Sequence, residues 1–338
     1  MDQRLLIGQP MTRVLRLESC KLLACHLQGI VAMQESDGKL VTGSLDNTVR
    51  LWDSFTGRAI GKFVGHRGGV RSLCMKNNLL VTGGWDGSIF LFKCDRENEF
   101  LRRFMGHVEE ITGLALLDNM QQLISASMEG TINKWALYDG VHPRCSKRFR
   151  HGIIILQAHV LADDPLLIVA LTNNEILILN QSNLNELRKF KYPAEPLTAM
   201  KAIGLMLVAG GAAGTVAFVH MESCQLLARC NLKNSQSRSK CTQLSVSVGQ
   251  HSPDAVLSIE YSATGHIFFS SANGLIHEWH LATLTSVRTL SGPEFAARVL
   301  CIEERRGQDR IRLFTAHMDG SLRIWILTGQ SPTKSTVL

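Results

Sequence analysis

A chain of 338 residues with 45% hydrophobic side chains has ample material for a packed interior, and its net charge of +7 is spread over scattered pairs such as Arg102-Arg103, Lys147-Arg148 and Arg305-Arg306. No run is long enough to cross a membrane as a helix, and dispersed basic charge argues against nucleic acid as a partner without excluding it. The nine cysteines form no CxxC pair and show no metal-ligand spacing, so no metal or cofactor is expected. Several of them, Cys74 and Cys301 among them, sit in apolar strand patterns, where cysteine acts as a small hydrophobe. Met1 to Pro10 holds no long apolar core of the signal-peptide kind. The expected compartment is a reducing one, cytoplasm or nucleus.

Taken in order, the chain is a series of short apolar runs broken by Gly, Asn, Asp and Ser, which predicts an all-β fold. The first run, RLLIGQPMTRVLRLES, suggests a partial unit over 4–26. Next comes KLVTGSLDNTVRLWD, from Lys39 to Asp53, two strands around a tight Asp46-Asn47 turn. Counting back from Trp52, Gly43 lies nine residues behind and Asp46 six, and the same ruler fits further along. Phe92 has Gly83 and Asp86 behind it, Trp135 has Ala126 and Glu129, and Leu179 has Ala170 and Asn173. Val219 has Gly210 and Ala213, Trp279 has Ser270 and Asn273, and Trp325 has Ala316 and Asp319. Seven hairpins are therefore expected, over 39–53, 79–93, 122–136, 166–180, 205–220, 266–280 and 311–326. Most spacings are about 40 to 46 residues, the period of a four-stranded propeller blade. The one long gap holds the polar stretch KNSQSRSKCTQLSVSVGQHSP, read as an insertion loop over 231–253 with a short strand at Leu244 to Val248.

This pattern resembles the WD-repeat β-propeller family across nearly the whole chain. Gly-His pairs that open such repeats stand at Gly65-His66 and Gly106-His107, and the closing Trp-Asp stands at Trp52-Asp53. Weakened closings follow at Trp135-Ala136, Trp279-His280 and Trp325-Ile326, and the fourth and fifth units keep neither mark. The resemblance implies a structural hydrogen-bonded chain of loop histidine, turn acid, strand hydroxyl and tryptophan. Its members in this sequence would be His107, Glu129, Ser125 and Trp135, and His66 with Asp86 and Thr82, cut short because Phe92 has no indole N–H. Trp52, Asp46, Trp279, Trp325 and Asp319 belong to the same repeat framework. Seven blades are favoured, with Lys21 to His26 lending an outer strand to the last blade. In the alternative, the N-terminal hairpin is an eighth blade and Lys334 to Leu338 completes the one before it. Closure matters because an open propeller leaves strand edges unpaired.

No arrangement for catalysis stands out: GxSxG, HExxH, GxxxxGK[ST] and GxGxxG are missing from the contexts they need. Gly210-Gly211-Ala212-Ala213-Gly214 falls on a turn with no helix pattern after it to face an anion. By analogy with the family, the residue before each turn acid lies on the top face around the channel mouth. These positions are Leu45, Trp85, Met128, Thr172, Ala212, Ala272 and Met318, and four of the seven are large and apolar. Arg71 and Arg298 occupy matching places at the starts of innermost strands. An apolar ring beside two arginines suits a peptide with an acidic or phosphorylated group next to a hydrophobic side chain. The expected function is a non-enzymatic interaction scaffold within a multiprotein complex. Two narrower alternatives are the substrate-recognition propeller of an F-box-type ubiquitin-ligase receptor, by resemblance of its hairpins, and an RNA-associated subunit of a ribonucleoprotein.

Overall fold

The computed structural model describes residues 14–95, 99–117, 119–161, 164–192, 195–232, 254–291, 297–304 and 310–330. Within them, strands β1 to β28 form seven antiparallel sheets of four strands each. Six of the sheets are meanders of consecutive strands, the seventh takes its outer strand from the N-terminal side, and the seven make the blades of a propeller. The innermost strands are β2 (Ile30–Ser36), β6 (Val70–Lys76), β10 (Ile111–Leu116), β14 (Ile153–Leu161), β18 (Leu197–Ile203), β22 (Val256–Tyr261) and β26 (Ala297–Glu304). They begin blades 1 to 7 in that order. Each packs against the next, and β26 packs against β2, so the ring is complete.

The ring closes through the N-terminus. β1 (Val14–Ala24) pairs antiparallel with β28 (Ser321–Gln330), whose other neighbour is β27 (Arg310–His317). The first strand of the chain is thus the outer strand of the last blade, and the blade count is seven. The clasp begins earlier than Lys21 and ends before His26. Leu17 pairs with Leu327 in this ladder and closes no separate blade. Residues 4–13 of the N-terminal hairpin, residues 233–253 of the insertion with its strand at 244–248, and 334–338 lie outside the described residues.

An innermost strand has a neighbour in its own sheet on one side only, so half its backbone groups need other partners. Side chains of the adjacent blade supply several. Gln34 accepts the Met75 N–H at 2.8 Å, Gln157 that of Ala202 at 3.0 Å and Ser258 that of Leu300 at 3.1 Å. The sulfur of Cys301 takes the Glu35 N–H at 3.2 Å, and burial pushes this thiol well above its ordinary range. The thiols of Cys25, Cys74, Cys94, Cys145, Cys224 and Cys301 are free, whereas Cys230 is disulfide-bonded.

The fourth and fifth blades stand by apolar packing where the tryptophan is gone. Leu179 is fully buried among Leu167, Val169, Leu177 and Leu184, and Val219 lies in the cluster of Ala209, Ala217 and Met221. Burying a side chain of this size contributes about 1.5–3 kcal/mol, enough to offset a missing polar chain. The glycine-rich patch ends a strand, Met206–Gly211, and turns directly into the next strand, Thr215–His220.

Removing residues 1–24 is expected to leave β28 as an open edge, lowering stability by more than ~3 kcal/mol and promoting association. Urea unfolding and light scattering measure both, and an unchanged unfolding midpoint would contradict closure by β1.

Candidate functional site

Because the inner three strands of every blade form a meander, the turns between second and third strands share one end of the molecule with the connections that lead into the innermost strands. We call this end the upper face. Its turns are braced from beneath by a relay of polar side chains. In blade 1 the Trp52 indole N–H donates to Thr42 Oγ1 at 2.9 Å, and Thr42 Oγ1 lies 2.8 Å from His26 Nε2. His26 Nδ1 lies 2.9 Å from the Asp46 carboxylate, which also accepts the Thr48 hydroxyl and the Leu27 N–H. An indole can only donate, so the proton order is fixed: Trp52 to Thr42, Thr42 to Nε2, and Nδ1–H to Asp46.

Blade 3 repeats the relay with Trp135, Ser125, His107 and Glu129, at 2.8, 2.7 and 2.6 Å. Blade 2 keeps His66, Thr82 and Asp86 at 2.9 and 3.2 Å, while Phe92 leaves the hydroxyl without an indole donor. The Phe90 ring meets the His66 ring edge-on instead, 4.6 Å between centroids. Sequence reasoning missed His26, because Cys25 replaces the usual glycine before it. Its signal was the distance to the turn acid: His26 precedes Asp46 by the twenty residues that separate His66 from Asp86.

The remaining blades solve the same problem differently. In blade 7 Trp325 donates to Thr315 at 3.1 Å, and the hydroxyl's next partner is His317 of its own strand, at 2.9 Å. In blade 5 the turn has Ala213 where an acid belongs. Buried Glu195 reaches in from the connection before β18, accepting the N–H groups of Ala213 at 2.8 Å and Thr215 at 3.2 Å. In blade 6 Phe269 stands where the hydroxyl would be, and the buried Trp279 N–H has no acceptor among the described residues. A buried ionic pair sits nearby, Arg288 Nε donating to Glu278 at 2.5 Å. His266 Nδ1 lies 2.9 Å from the other Glu278 oxygen, outside hydrogen-bond angles.

Above the relays lie the residues that precede each turn acid. The N–H groups of Leu45, Trp85, Met128, Thr172, Ala212 and Ala272 each donate, at 2.9 to 3.0 Å, to the carbonyl of a residue leading into an innermost strand. These six side chains therefore sit at equivalent places on the upper face. Trp85 and Met318 are 48% and 45% exposed, whereas Leu45 and Met128 are half-buried. A methyl group on Gly69 would come within 3.0 Å of Leu45 Cδ2 and 3.5 Å of the Trp85 ring, and one on Gly29 within 3.1 Å of Met318 Cε. The bare glycines let these side chains lie flat over the entrances to blades 1 and 2. Met318, Leu45 and Trp85 so form one arc over blades 7, 1 and 2. Met128, on blade 3, has its sulfur 3.2 Å from the Cβ position of Gly152 in blade 4.

Every innermost strand carries a β-bulge at its upper end, where one residue is skipped in the ladder. The seven extra residues are Val31, Arg71, Thr112, Ile154, Thr198, Leu257 and Arg298. A bulge re-aims its side chain and leaves it unpaired in the sheet, so these residues form a ring at the upper mouth of the central axis. The two arginines belong to blades 2 and 7, the blades that also carry Trp85 and Met318. Arg71 lies 3.7 Å from a Glu110 oxygen. Arg298 has no hydrogen bond or ion pair among the described residues; burial and then the charge of Arg71 lower its pKa. A cavity of about 330 Å³ lined by Leu161, Asp164, Leu166, Leu187, Arg188 and Glu222 lies between blades 4 and 5, away from this face.

Comparison with known proteins agrees with this geometry. The family model described as WD domain, G-beta repeat, matches residues 18–53, 57–93 and 98–136, three successive repeats that each join the outer strand of one blade to the inner three strands of the next. The chain is a seven-bladed β-propeller that carries WD repeats over residues 18–136. The propeller is 29% identical over 137 residues to mitochondrial division protein 1 of Aspergillus clavatus, a match covering 30% of this chain and 21% of the relative. It is 34% identical over 101 residues to cell division cycle 20.1, cofactor of APC complex, of Arabidopsis thaliana, covering 29% of this chain and 22% of the relative. The matched stretch is thus only about a fifth of the length of either relative.

Two outcomes are expected of the relays. Thr42→Val strips both the Trp52 N–H and His26 Nε2 of their partner and should cost about 2–3 kcal/mol, whereas Thr82→Val, with no indole above it, should cost less. Equal losses in urea unfolding would contradict this proton order. The second concerns pH. Burial lowers the pKa of His26, His66 and His107 in the fold below the ordinary 6.5, against the opposing pull of Asp46, Asp86 and Glu129. The unfolded chain therefore takes up protons first. The stability that neutral histidines contribute is complete above pH 6.5 and drains away as pH falls below it. Burial raises the Asp46 pKa, but Thr48, the Leu27 amide and His26 together outweigh it and hold it down to about 2, so a further loss follows below the ordinary 3.8. An unfolding free energy that stays flat from pH 7 to 5 would contradict the first step.

Proposed function

We propose that this WD-repeat propeller is a non-enzymatic scaffold that holds a protein or peptide partner on the upper face of blades 7, 1 and 2. One observation supports the reading: Met318, Leu45 and Trp85 lie at the same end of blades 7, 1 and 2 as the bulge arginines Arg298 and Arg71. Exposed apolar clusters with a buried polar neighbour favour partner binding, and tryptophan, methionine and arginine are frequent anchors. A hydrophobic side chain of the partner would lie on the arc while an acidic or phosphorylated group meets the arginines. The relay residues serve as framework, and a cytoplasmic or nuclear complex is the setting proposed, on the six free thiols and against the disulfide-bonded Cys230.

The relatives support the same class of role. One is named as a cofactor of the APC complex and the other as a mitochondrial division protein. Recognition of RNA gains less support, because the exposed aromatics are dispersed. Trp85 is on the upper face and Phe55 in a lower turn, stacked 4.1 Å beneath Arg312, while Phe100 lies on an outer strand.

Affinity purification with wild type and a folded Trp85→Ala/Arg71→Glu/Arg298→Glu variant tests this function. At least one partner is expected to fall more than tenfold in the variant. An unchanged partner set would rule out the upper face as the binding site. Loss of a ubiquitin-ligase adaptor alone would support the F-box-type role, and loss of a ribonucleoprotein component would support the RNA-associated one.

A further inference from the structure

We infer that the anionic group read by the bulge arginines is a single side-chain carboxylate of the partner, and that Glu110 is the residue that discriminates against a phosphoryl group. The inference rests on the upper-face reading above and adds which acid that face selects.

The two arginines are not equivalent. Both occupy the bulge at the second residue of an innermost strand, but among the described residues only Arg71 has an acid beside it. Glu110 immediately precedes β10 and is held there by its backbone, whose carbonyl accepts the Met128 N–H at 3.0 Å. Its carboxylate lies 3.7 Å from Arg71 Nε, with both side chains between a quarter and a third exposed. Arg298 is half-buried, has no acid beside it among the described residues, and is close enough to Arg71 to feel its charge. Two guanidinium groups that repel each other favour an anion between them, and one of the two charges is already offset by Glu110.

Counted over Arg71, Arg298 and Glu110, the charge left for a ligand is about one positive unit. A partner Asp or Glu carries one negative charge and can take Arg298 while Arg71 stays with Glu110. A phosphoryl group carries about −1.5 to −2 at neutral pH and would be drawn to both guanidinium groups. Seated there, it would meet the Glu110 carboxylate at like charge or force it off Arg71. Repulsion of this kind is a recognised source of specificity, since a site can choose a ligand by disfavouring its competitor. Without Glu110, the same pair of arginines offers two charges and the fork geometry that suits phosphate.

The test uses the full chain, fluorescently labelled, on an immobilised peptide array. Each peptide carries Leu, Ile or Phe at a fixed place and Glu, Asp, phosphoserine, phosphothreonine, Ser or Lys one to four residues away. Wild type is expected to retain Glu and Asp peptides about fivefold better than their phosphoserine counterparts. Glu110→Gln is expected to bring the two classes level or reverse them. This substitution keeps the backbone bond to Met128, and matching unfolding midpoints would establish that the variant is folded. Phosphopeptides preferred by wild type, or a preference that Glu110→Gln leaves unmoved, would overturn the inference and leave the upper-face reading standing. Retention that is no better than that of an Arg71→Glu/Arg298→Glu variant would overturn the acidic reading itself.

Discussion

The pairing of β1 with β28 is the contact on which the rest of the molecule depends. A ring of sheets has no stable open form, because each blade buries its apolar faces only against two neighbours. Closing the ring with the first strand ties the two ends of the chain into one blade, and it brings β26 against β2. That contact sets Arg298 beside the entrance to blade 1 and puts Met318 over Gly29. The arc on the upper face is thus a product of closure, since its members come from the first hundred residues and the last twenty-five.

Within the ring, polar relays and apolar packing are alternative means to the same end. A turn that exposes its backbone needs a carboxylate or amide beneath it, and a buried indole needs an acceptor. Blades 1 and 3 meet both needs in one continuous chain of protons. Blade 5 keeps only the carboxylate, delivered from Glu195, and blade 4 relies on aliphatic packing around Leu179. Blade 6 leaves its indole without an acceptor among the described residues and carries a Glu278–Arg288 pair whose carboxylate is fully buried, which is a poor exchange in energy. We have no physical account of why this blade retains that arrangement.

The repeat was legible because its period is carried by residue types that the turns and the small positions cannot easily change. Trp52, Trp135 and Trp325 each find a hydroxyl ten residues back, and the same count shows in advance that Trp279 meets Phe269. His26 was equally countable and was hidden only by the cysteine before it. Glu195 was not countable, because it does the work of a turn acid from a different connection and so lies off the ruler. The bulges could not be read at all: nothing in the types of Val31, Thr112 or Leu257 marks an extra residue, since the bulge comes from how a twisted strand meets its neighbour at the mouth of the ring. Glu110 escaped for a related reason. In sequence it is one of two adjacent loop acids, and only the fold brings it beside Arg71.

Function on such a scaffold belongs to the few side chains that the framework does not use. The surface proposed for that role is the apolar arc and the two arginines, both on the three blades that closure brings together. The most direct measurement is site-specific photocrosslinking with a benzophenone amino acid placed either at Leu45, in the middle of the arc, or at Leu226, on the outer rim of blade 5 and 51% exposed. The account predicts that partner crosslinks form from Leu45 and not from Leu226. Crosslinks from Leu226 with none from Leu45 would place the partner elsewhere and contradict it.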